Sequence, residues 1–366
     1  MSGINGVVHV TVYKNPRSYS AFPSLEVMPD GSLICVFREA VRRKRRTHID
    51  PTSKAVLVRS SNGGLTWNPE SRVVIYEEEE CGIQDPSVRL LSDGSLIVNF
   101  FKWHVGVEEE LPDGHTSVRG LDGIHYAWME GTYVTKSRDG GYTWDEPVKV
   151  STPLGDFTAT SEPVLELPNG ELLIPVYGRL PTDAIERAMV LRSRDGGKTW
   201  GDPSTIAYDP FGLLGFYEPS LLYLPRSGKI VCMLRVHRRP REEYGYYLYQ
   251  SESLDLGETW TIPKRTVIWG HPPNLILLRS GNLLCSYGYR RPPYGVRACI
   301  SRDDGRTWNL KREFIIRSDG LDGDLGYPSS VQLNDGSIAT AYYFRDPLDD
   351  VTFIGLSIYS EEVFGE

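Results

Sequence analysis

Short apolar runs separated by polar punctuation recur from one end of the chain to the other. Runs such as SLICVF, AVLV, GTYVT, AMVL, YYLY, NLLCSY and RACI are too short for globular helices and are bounded by Gly, Pro, Asp, Asn and Ser. That pattern predicts strands and hairpin turns. Five of the turns share one form: SSNGGLTW ending at Trp67, SRDGGYTW at Trp144, SRDGGKTW at Trp200, SLDLGETW at Trp260 and SRDDGRTW at Trp308. In each, an Asp or Asn side chain can cap backbone N–H groups and a Gly takes positive φ without steric cost. The Thr-Trp pair is expected to open the next strand and to offer its ring to a neighbouring sheet.

A second repeat interleaves with the first: a Pro, a short strand, a turn Gly and another strand. Its six copies begin at Pro23, Pro86, Pro163, Pro219, Pro273 and Pro328. Six hairpins, five followed by a second hairpin with the Trp turn, predict an all-β fold: a six-bladed β-propeller of four-stranded antiparallel blades. The sixth unit has VTFIGLSIY and no Trp turn, so the N-terminal VVHVTVY is expected to complete it and close the ring. Residues 1–366 then form one domain, where length alone would suggest two or three.

Composition narrows the partners. With 40 Lys and Arg against 48 Asp and Glu the formal charge is −8, which argues against general affinity for nucleic acid or an anionic membrane. No apolar run approaches the roughly 18 residues of a membrane-spanning helix, and the N-terminus lacks the apolar core of a leader. Cys35, Cys81, Cys232, Cys285 and Cys299 form no C-x-x-C pair, so buried free thiols and a cytoplasmic setting are expected. No metal or cofactor is expected.

The candidate chemistry follows from the fold. The first strand of each blade lines the axis, so the residues before the six prolines should converge there: Phe22, Asp85, Glu162, Glu218, Pro272 (with His271 before it) and Tyr327. The second strands return to the same face and end in Arg38, His104, Arg179, Arg235, Arg290 and Arg345. Acids ringed by arginines suit a polar, anionic small ligand, unless the two rings only neutralise each other.

The Trp turns resemble the Asp-boxes of the sialidase (neuraminidase) superfamily, and the six-blade count is similar. FYEPSLLYLPRSGKIVCMLR resembles that family's fourth-blade segment and carries Glu218 and Arg235; GYPSSVQLNDG resembles its sixth-blade motif and carries Tyr327. The stretch from Asp50 into the first Asp-box is similar to its acid/base loop, and Arg297 or Arg290 matches its fifth-blade arginine. The resemblance implies an exo-acting retaining glycosidase for a terminal acidic sugar on a glycan, with Tyr327 as nucleophile, Glu218 as its base and Asp50 as acid and then base. Arg38, Asp85, Glu162, Arg235, His271, Arg290 and Arg297 would bind substrate. One departure stands out. The family's aromatic-Arg-Ile-Pro motif, whose Arg holds the substrate carboxylate, reads Ser20-Ala21-Phe22-Pro23 here, so the clamp is incomplete unless Arg38 or a basic loop compensates. A different propeller enzyme, such as another glycosidase or a polysaccharide lyase using His271 or Tyr327 as base, and a non-catalytic glycan-binding propeller remain alternatives.

Four further segments invite a reading. The run Arg42–Arg46 is a solvated loop or a grip on an anionic substrate, and the acidic run Glu77–Glu80 is a solvated connection. Asp319, Asp322 and Asp324 have oxygen ligands of the kind Ca²⁺ takes, without an EF-hand pattern, and read as a polar loop leading to Tyr327. The insertion from Val105 to His125 shows no strand period and reads as a lid or a homo-oligomer contact.

Overall fold

The alternation of apolar runs and turns produces six antiparallel sheets in the computed structural model, which describes residues 6–365 apart from 45, 115–116 and 241–245. Blade 1 holds Ser18–Val27, Leu33–Val41, Lys54–Ser60 and Asn68–Tyr76. Blade 2 holds Cys81–Leu90, Leu96–Val107, His125–Ser137 and Val148–Lys149. In blade 3 the first strand is split into Thr158–Ala159 and Leu165–Glu166, followed by Leu172–Gly178, Arg187–Ser193 and Gly201–Ala207. Blade 4 holds Leu214–Leu224, Lys229–Arg238, Tyr247–Ser253 and Lys264–Trp269; blade 5 holds Pro273–Leu277, Leu283–Tyr289, Gly295–Ser301 and Phe314–Arg317. Blade 6 holds Gly326–Gln332, Ile338–Arg345 and Thr352–Tyr359, and its outer strand is Val8–Tyr13 from the N-terminus. Val8 pairs with Ile358 and Val10 with Leu356, so the two chain ends close the ring as expected.

The core lies between blades. Six apolar clusters each join one blade to the next, from Ile34, Leu57 and Phe100 between blades 1 and 2 round to Leu33, Ala341 and Leu356 between blades 6 and 1. Each Trp of the repeated turn packs onto one of these clusters. A fully buried large apolar side chain contributes roughly 1.5–3 kcal/mol, so these contacts hold the ring shut.

The turn chemistry is as the repeat implies, with one correction. Asp195 accepts from the Thr199 amide (2.9 Å), the Thr199 hydroxyl (2.6 Å), the Lys198 amide (3.0 Å) and the Ser193 hydroxyl (2.8 Å). Gly196 and Gly197 have φ of 73° and 90°. Trp200 Nε1 donates back to the Gly197 carbonyl at 3.2 Å. These bonds hold the Thr-Trp pair inside the turn, and the last strand starts only at Gly201.

All five cysteines are buried and free. Among the described residues no helix is long and apolar enough to cross a membrane.

Candidate active site

Four of the six axial positions share an unusual backbone. Phe22, Asp85, Glu218 and Tyr327 have φ of 57°, 47°, 47° and 47°. At each, the register with the second strand breaks: between Ala21 and Ser24, Gln84 and Ser87, Tyr217 and Ser220, Gly326 and Ser329. A bulge ahead of a proline, which has no N–H to give to the ladder, turns one side chain out of the pleat. A left-handed conformation costs a non-glycine residue roughly 1–3 kcal/mol and persists where the surroundings impose it. Here it aims four side chains along the axis.

Two of them meet. The Tyr327 hydroxyl donates to Glu218 Oε1 at 2.5 Å. Arg235 Nη1 donates to both carboxylate oxygens of Glu218, at 2.8 and 2.9 Å, and its Nε donates to His237 Nε2 at 3.0 Å. Glu218 is 3% exposed, so this ion pair is desolvated. Burial first, then the charges of Glu218 and Asp85, hold the Tyr327 phenol well above its ordinary pKa. The phenol therefore keeps its proton at rest and has its acceptor already in hydrogen-bond contact.

A second group lies beside this pair. Asp85 Oδ2 accepts from the Ser161 hydroxyl at 2.6 Å, and burial pushes the carboxyl up to about 7. Arg38 is fully buried; none of its three guanidinium nitrogens has a protein hydrogen-bond partner, and Tyr19 lies 5.3 Å from its Cζ. His271 is buried with Nδ1 unpartnered, and burial, then Arg235 and Arg290, lower its pKa. Arg290 stands 5.4 Å from the Tyr327 ring, and its Nη2 is likewise buried and unpartnered. Unmade hydrogen bonds of this kind are costly in a closed core and mark places suited to a polar ligand.

Asp50 lies in the loop before the third strand of blade 1; its neighbours His48 and Ile49 line the same cavity as Tyr327, whereas its own carboxylate is bonded to Arg43 and Thr52. His48 from that loop meets Phe22 edge to face, and Phe22 meets Tyr327 edge to face with ring centroids 4.6 Å apart, so one aromatic chain links the loop to the tyrosine. Asp50 accepts from the Thr52 hydroxyl at 2.6 Å and from Arg43 Nε at 2.9 Å. Burial raises its pKa, but the bonds from Arg43 and Thr52 outweigh burial and leave the carboxyl below its ordinary value.

A cavity of about 400 Å³ is lined by three of the candidates, Asp85, Arg235 and Tyr327, together with Tyr177, Tyr217 and His237; Arg38, Asp50, Glu218, His271 and Arg290 lie behind its wall. Of these, Tyr217 precedes Glu218 in the fourth-blade segment, whereas Tyr177, His237 and, elsewhere on the wall, His48, Trp103 and Arg119 carry no motif, so spacing alone did not single them out. Tyr177, Trp103 and His237 lie toward the ends of second strands, His48 in the loop after one, and Arg119 on the short strand Arg119–Gly120 of the insertion. The insertion is strand only at its ends, where the second strand of blade 2 runs to Val107 and the third begins at His125, and at Arg119–Gly120, with a short 3₁₀ turn at Glu108–Glu110; Arg119 stacks over Trp103 and forms part of the cavity wall. His115 and Thr116 of the insertion lie outside the described residues. A larger hollow of about 740 Å³, lined by Glu39, Arg72 and Glu77–Glu79, contains none of the axial residues.

Two sequence candidates stand apart. Glu162 accepts from Ser220 Oγ and Asn274 Nδ2, both at 3.0 Å, and is tied into the contacts between blades; burial pushes it up to about 8. Arg297 pairs with Glu313 at 2.5 Å and stacks on Tyr289, so of the two fifth-blade arginines it is Arg290 that borders Tyr327. The charge runs largely pair with acidic groups of the same chain. Arg46 reaches Asp322 at 3.4 Å, Asp324 at 4.0 Å and Asp350 at 3.8 Å; Arg345 takes Asp322, and Arg317 takes Asp319. Arg45 lies outside the described residues.

The chain matches the family model described as a BNR repeat-like domain over residues 114–340. It is 21% identical over 318 residues to a sialidase of Bacteroides fragilis, covering 80% of this chain and 55% of that one. With a sialidase of Clostridium perfringens it shares 23% identity over 248 residues, 62% of this chain and 60% of that one. The chain thus spans between half and two thirds of the length of these curated relatives. Among solved structures, a protein of unknown function from Dyadobacter fermentans aligns with a TM-score of 0.84 at 30% identity, covering 97% of this chain and 99% of that one. An α-L-arabinanase of Penicillium chrysogenum shares the fold at a TM-score of 0.69 and 16% identity, over 98% of this chain and 99% of that one.

Proposed function

The chain belongs to the BNR repeat-like family, as a propeller of the sialidase superfamily, and from that premise we propose that it is an exo-acting retaining glycoside hydrolase for a terminal acidic sugar, sialic acid or a relative. The observation that carries this reading is the 2.5 Å hydrogen bond from the Tyr327 hydroxyl to Glu218, with Arg235 holding the same carboxylate.

The residue types suit the chemistry. An anomeric carbon that bears a carboxylate repels a carboxylate nucleophile, whereas a phenol is neutral until its proton leaves. Tyrosine nucleophiles are a recognised exception to the two-carboxylate rule of glycosidases. The Tyr327 oxygen would attack the anomeric carbon as its proton passes to Glu218, while Asp50 protonates the departing glycosidic oxygen. Asp50 would then take a proton from water as that water attacks the same carbon; Tyr327 leaves and recovers its proton from Glu218. Arg38 and Arg290, buried with unpartnered donors, are suited to hold the anionic group of the sugar.

Ala21 favours a second reading: the same catalytic set acting on a glycoside other than the common sialosides, or a lyase using Tyr327 or His271 as base. A fluorinated-sugar trap followed by peptide mass spectrometry tests the proposal. Label on Tyr327 is expected, and label on any other residue overturns the mechanism. A lyase would instead release an unsaturated product that absorbs in the ultraviolet, and a purely glycan-binding propeller would bind without turnover.

A further inference from the structure

Blade 2 carries a second cluster of reactive side chains, on the face of the sheet opposite Phe101 and Trp103, which pack beside the axial cavity. Cys81 opens the first strand and lies directly across the ladder from His104 on the second. On the third strand, Lys102 pairs with Gly131 and Trp103 with Met129, so Glu130 is the extra residue of a β-bulge. Bulges re-aim a side chain, and this one sends the Glu130 carboxylate to the other two groups. Cys81 Sγ lies 3.4 Å from His104 Nδ1, and His104 Nδ1 lies 3.2 Å from Glu130 Oε1. All three ligand atoms fall within 4.8 Å of one another.

The S–N and N–O spacings match a tetrahedral ion. With metal–S near 2.3 Å and metal–N and metal–O near 2.0–2.1 Å, tetrahedral angles put S and N about 3.5 Å apart and N and O about 3.3 Å apart. The supports are also in place. His104 stacks on Trp128 with ring centroids 4.3 Å apart, which fixes its plane. Glu80 lies 3.9 Å from His104 Nε2, the side on which a carboxylate orients a metal-bound imidazole. Lys102 takes the other oxygen of Glu130, at 3.3 Å, and leaves Oε1 to the cluster. Burial, then Glu130 and Glu78, push the Cys81 thiol up to about 12, so without a cation it is inert as a nucleophile.

We propose that Cys81, His104 and Glu130 bind a divalent transition metal of the zinc class, with solvent at the fourth position. The mixed S, N and O donor set favours such an ion over Ca²⁺ or Mg²⁺. The site lies outside the axial chemistry but touches its support. Gly82, next to Cys81, packs so closely on the loop below that a Cβ there would stand 2.2 Å from the Asp50 carbonyl oxygen. A bound ion would pin the strand against which the Asp50 loop rests.

The test is titration of the chelator-treated full chain with Co²⁺, followed by displacement with Zn²⁺. One equivalent of Co²⁺ is expected to bind with a thiolate-to-cobalt charge-transfer band that Zn²⁺ abolishes. Cys81→Ser should lose the band, and Glu130→Gln should keep it while weakening affinity by at least ~10-fold. Absence of the thiolate band in the unaltered protein overturns the proposal without recourse to any variant. So does a Co²⁺ affinity that Glu130→Gln leaves unchanged, a result that holds even if Cys81→Ser fails to fold.

Discussion

Ala21 and Arg38 occupy directly opposed positions on the first two strands of blade 1. Both are fully buried, and opposed residues of an antiparallel pair project from the same face with Cβ atoms about 5 Å apart. The position where the sialidase motif has arginine is therefore filled by a methyl group, and the neighbouring strand supplies a guanidinium beside it. That guanidinium has no protein hydrogen-bond partner.

If Arg38 answers for the missing arginine, its removal separates function from stability. Arg38→Met should raise KM for an anionic substrate by about 10–100-fold with a smaller effect on kcat, and leave neutral aryl glycosides unaffected. Its thermal midpoint should hold or rise, because replacing an unpaired buried charge by an apolar side chain is neutral or favourable. Steady-state kinetics on paired acidic and neutral substrates, with a melting curve, check both halves. Equal losses on both substrates would refute the assignment.

Tyr327→Phe keeps the ring against Phe22 but removes the oxygen that bonds Glu218. Its kcat should fall by at least ~10³-fold, while Glu218→Gln should cost ~10²–10⁴-fold. The two effects should not add in the double variant, because the residues act as one unit. Single-turnover measurements on an activated aryl glycoside provide the comparison.

Asp50 must carry a proton to act as an acid, yet Arg43 helps hold its pKa down. Arg43→Ala removes that ion pair and leaves only the Thr52 bonds to oppose burial, so the carboxyl keeps its proton to higher pH. The alkaline limb of the kcat profile should move upward by about 1 pH unit or more, the size of a single charge partner's effect. A limb that stays in place would mean that Asp50 is not the group that limits the rate there.

Glu162 titrates at about 8 in the folded chain, against roughly 4.3 for a free glutamate. The folded state thus keeps a proton that the unfolded state has already released. Its contribution to stability is full below about pH 4 and is lost as pH rises toward 8. Glu162→Gln preserves an oxygen for Ser220 and Asn274 and removes the titration, so stability between pH 5 and 8 should become flatter by ~1–3 kcal/mol. Denaturant melts at several pH values measure this directly. Asp85, held near 7, leaves a residual slope of the same sign.

The bulges that aim Phe22, Asp85, Glu218 and Tyr327 coincide with residues preceding a proline, so these axial positions could be found from spacing. Their left-handed backbone was not legible, because nothing in a Glu or a Tyr favours positive φ. The basic run at Arg42–Arg46 reads in sequence as a solvated loop, with a substrate grip or partner docking as alternatives, whereas in the structure Arg43 takes Asp50 and Arg46 takes Asp322. Arg46 and Asp322, 276 residues apart, give no local sign that they will meet, and for Arg43 and Asp50, seven apart, only the fold of the loop decides it. His104, expected in the axial ring, instead meets Cys81 and Glu130 away from the cavity; strand register and a bulge bring the three together, and no short ligand spacing announces them.

Strand and turn are properties of a few consecutive residues. Alternating apolar positions, the Asp cap and the turn glycines accordingly determined the six blades, and the count of repeats determined the ring. Contact between Tyr327 and Glu218, 109 residues apart, depends instead on how six twisted sheets close about one axis. The tertiary structure alone decided that Arg290 rather than Arg297 borders the tyrosine and that Arg38 stands in the place left by Ala21. Those outcomes rest on summed register, twist and packing between blades, which no single stretch of the chain encodes.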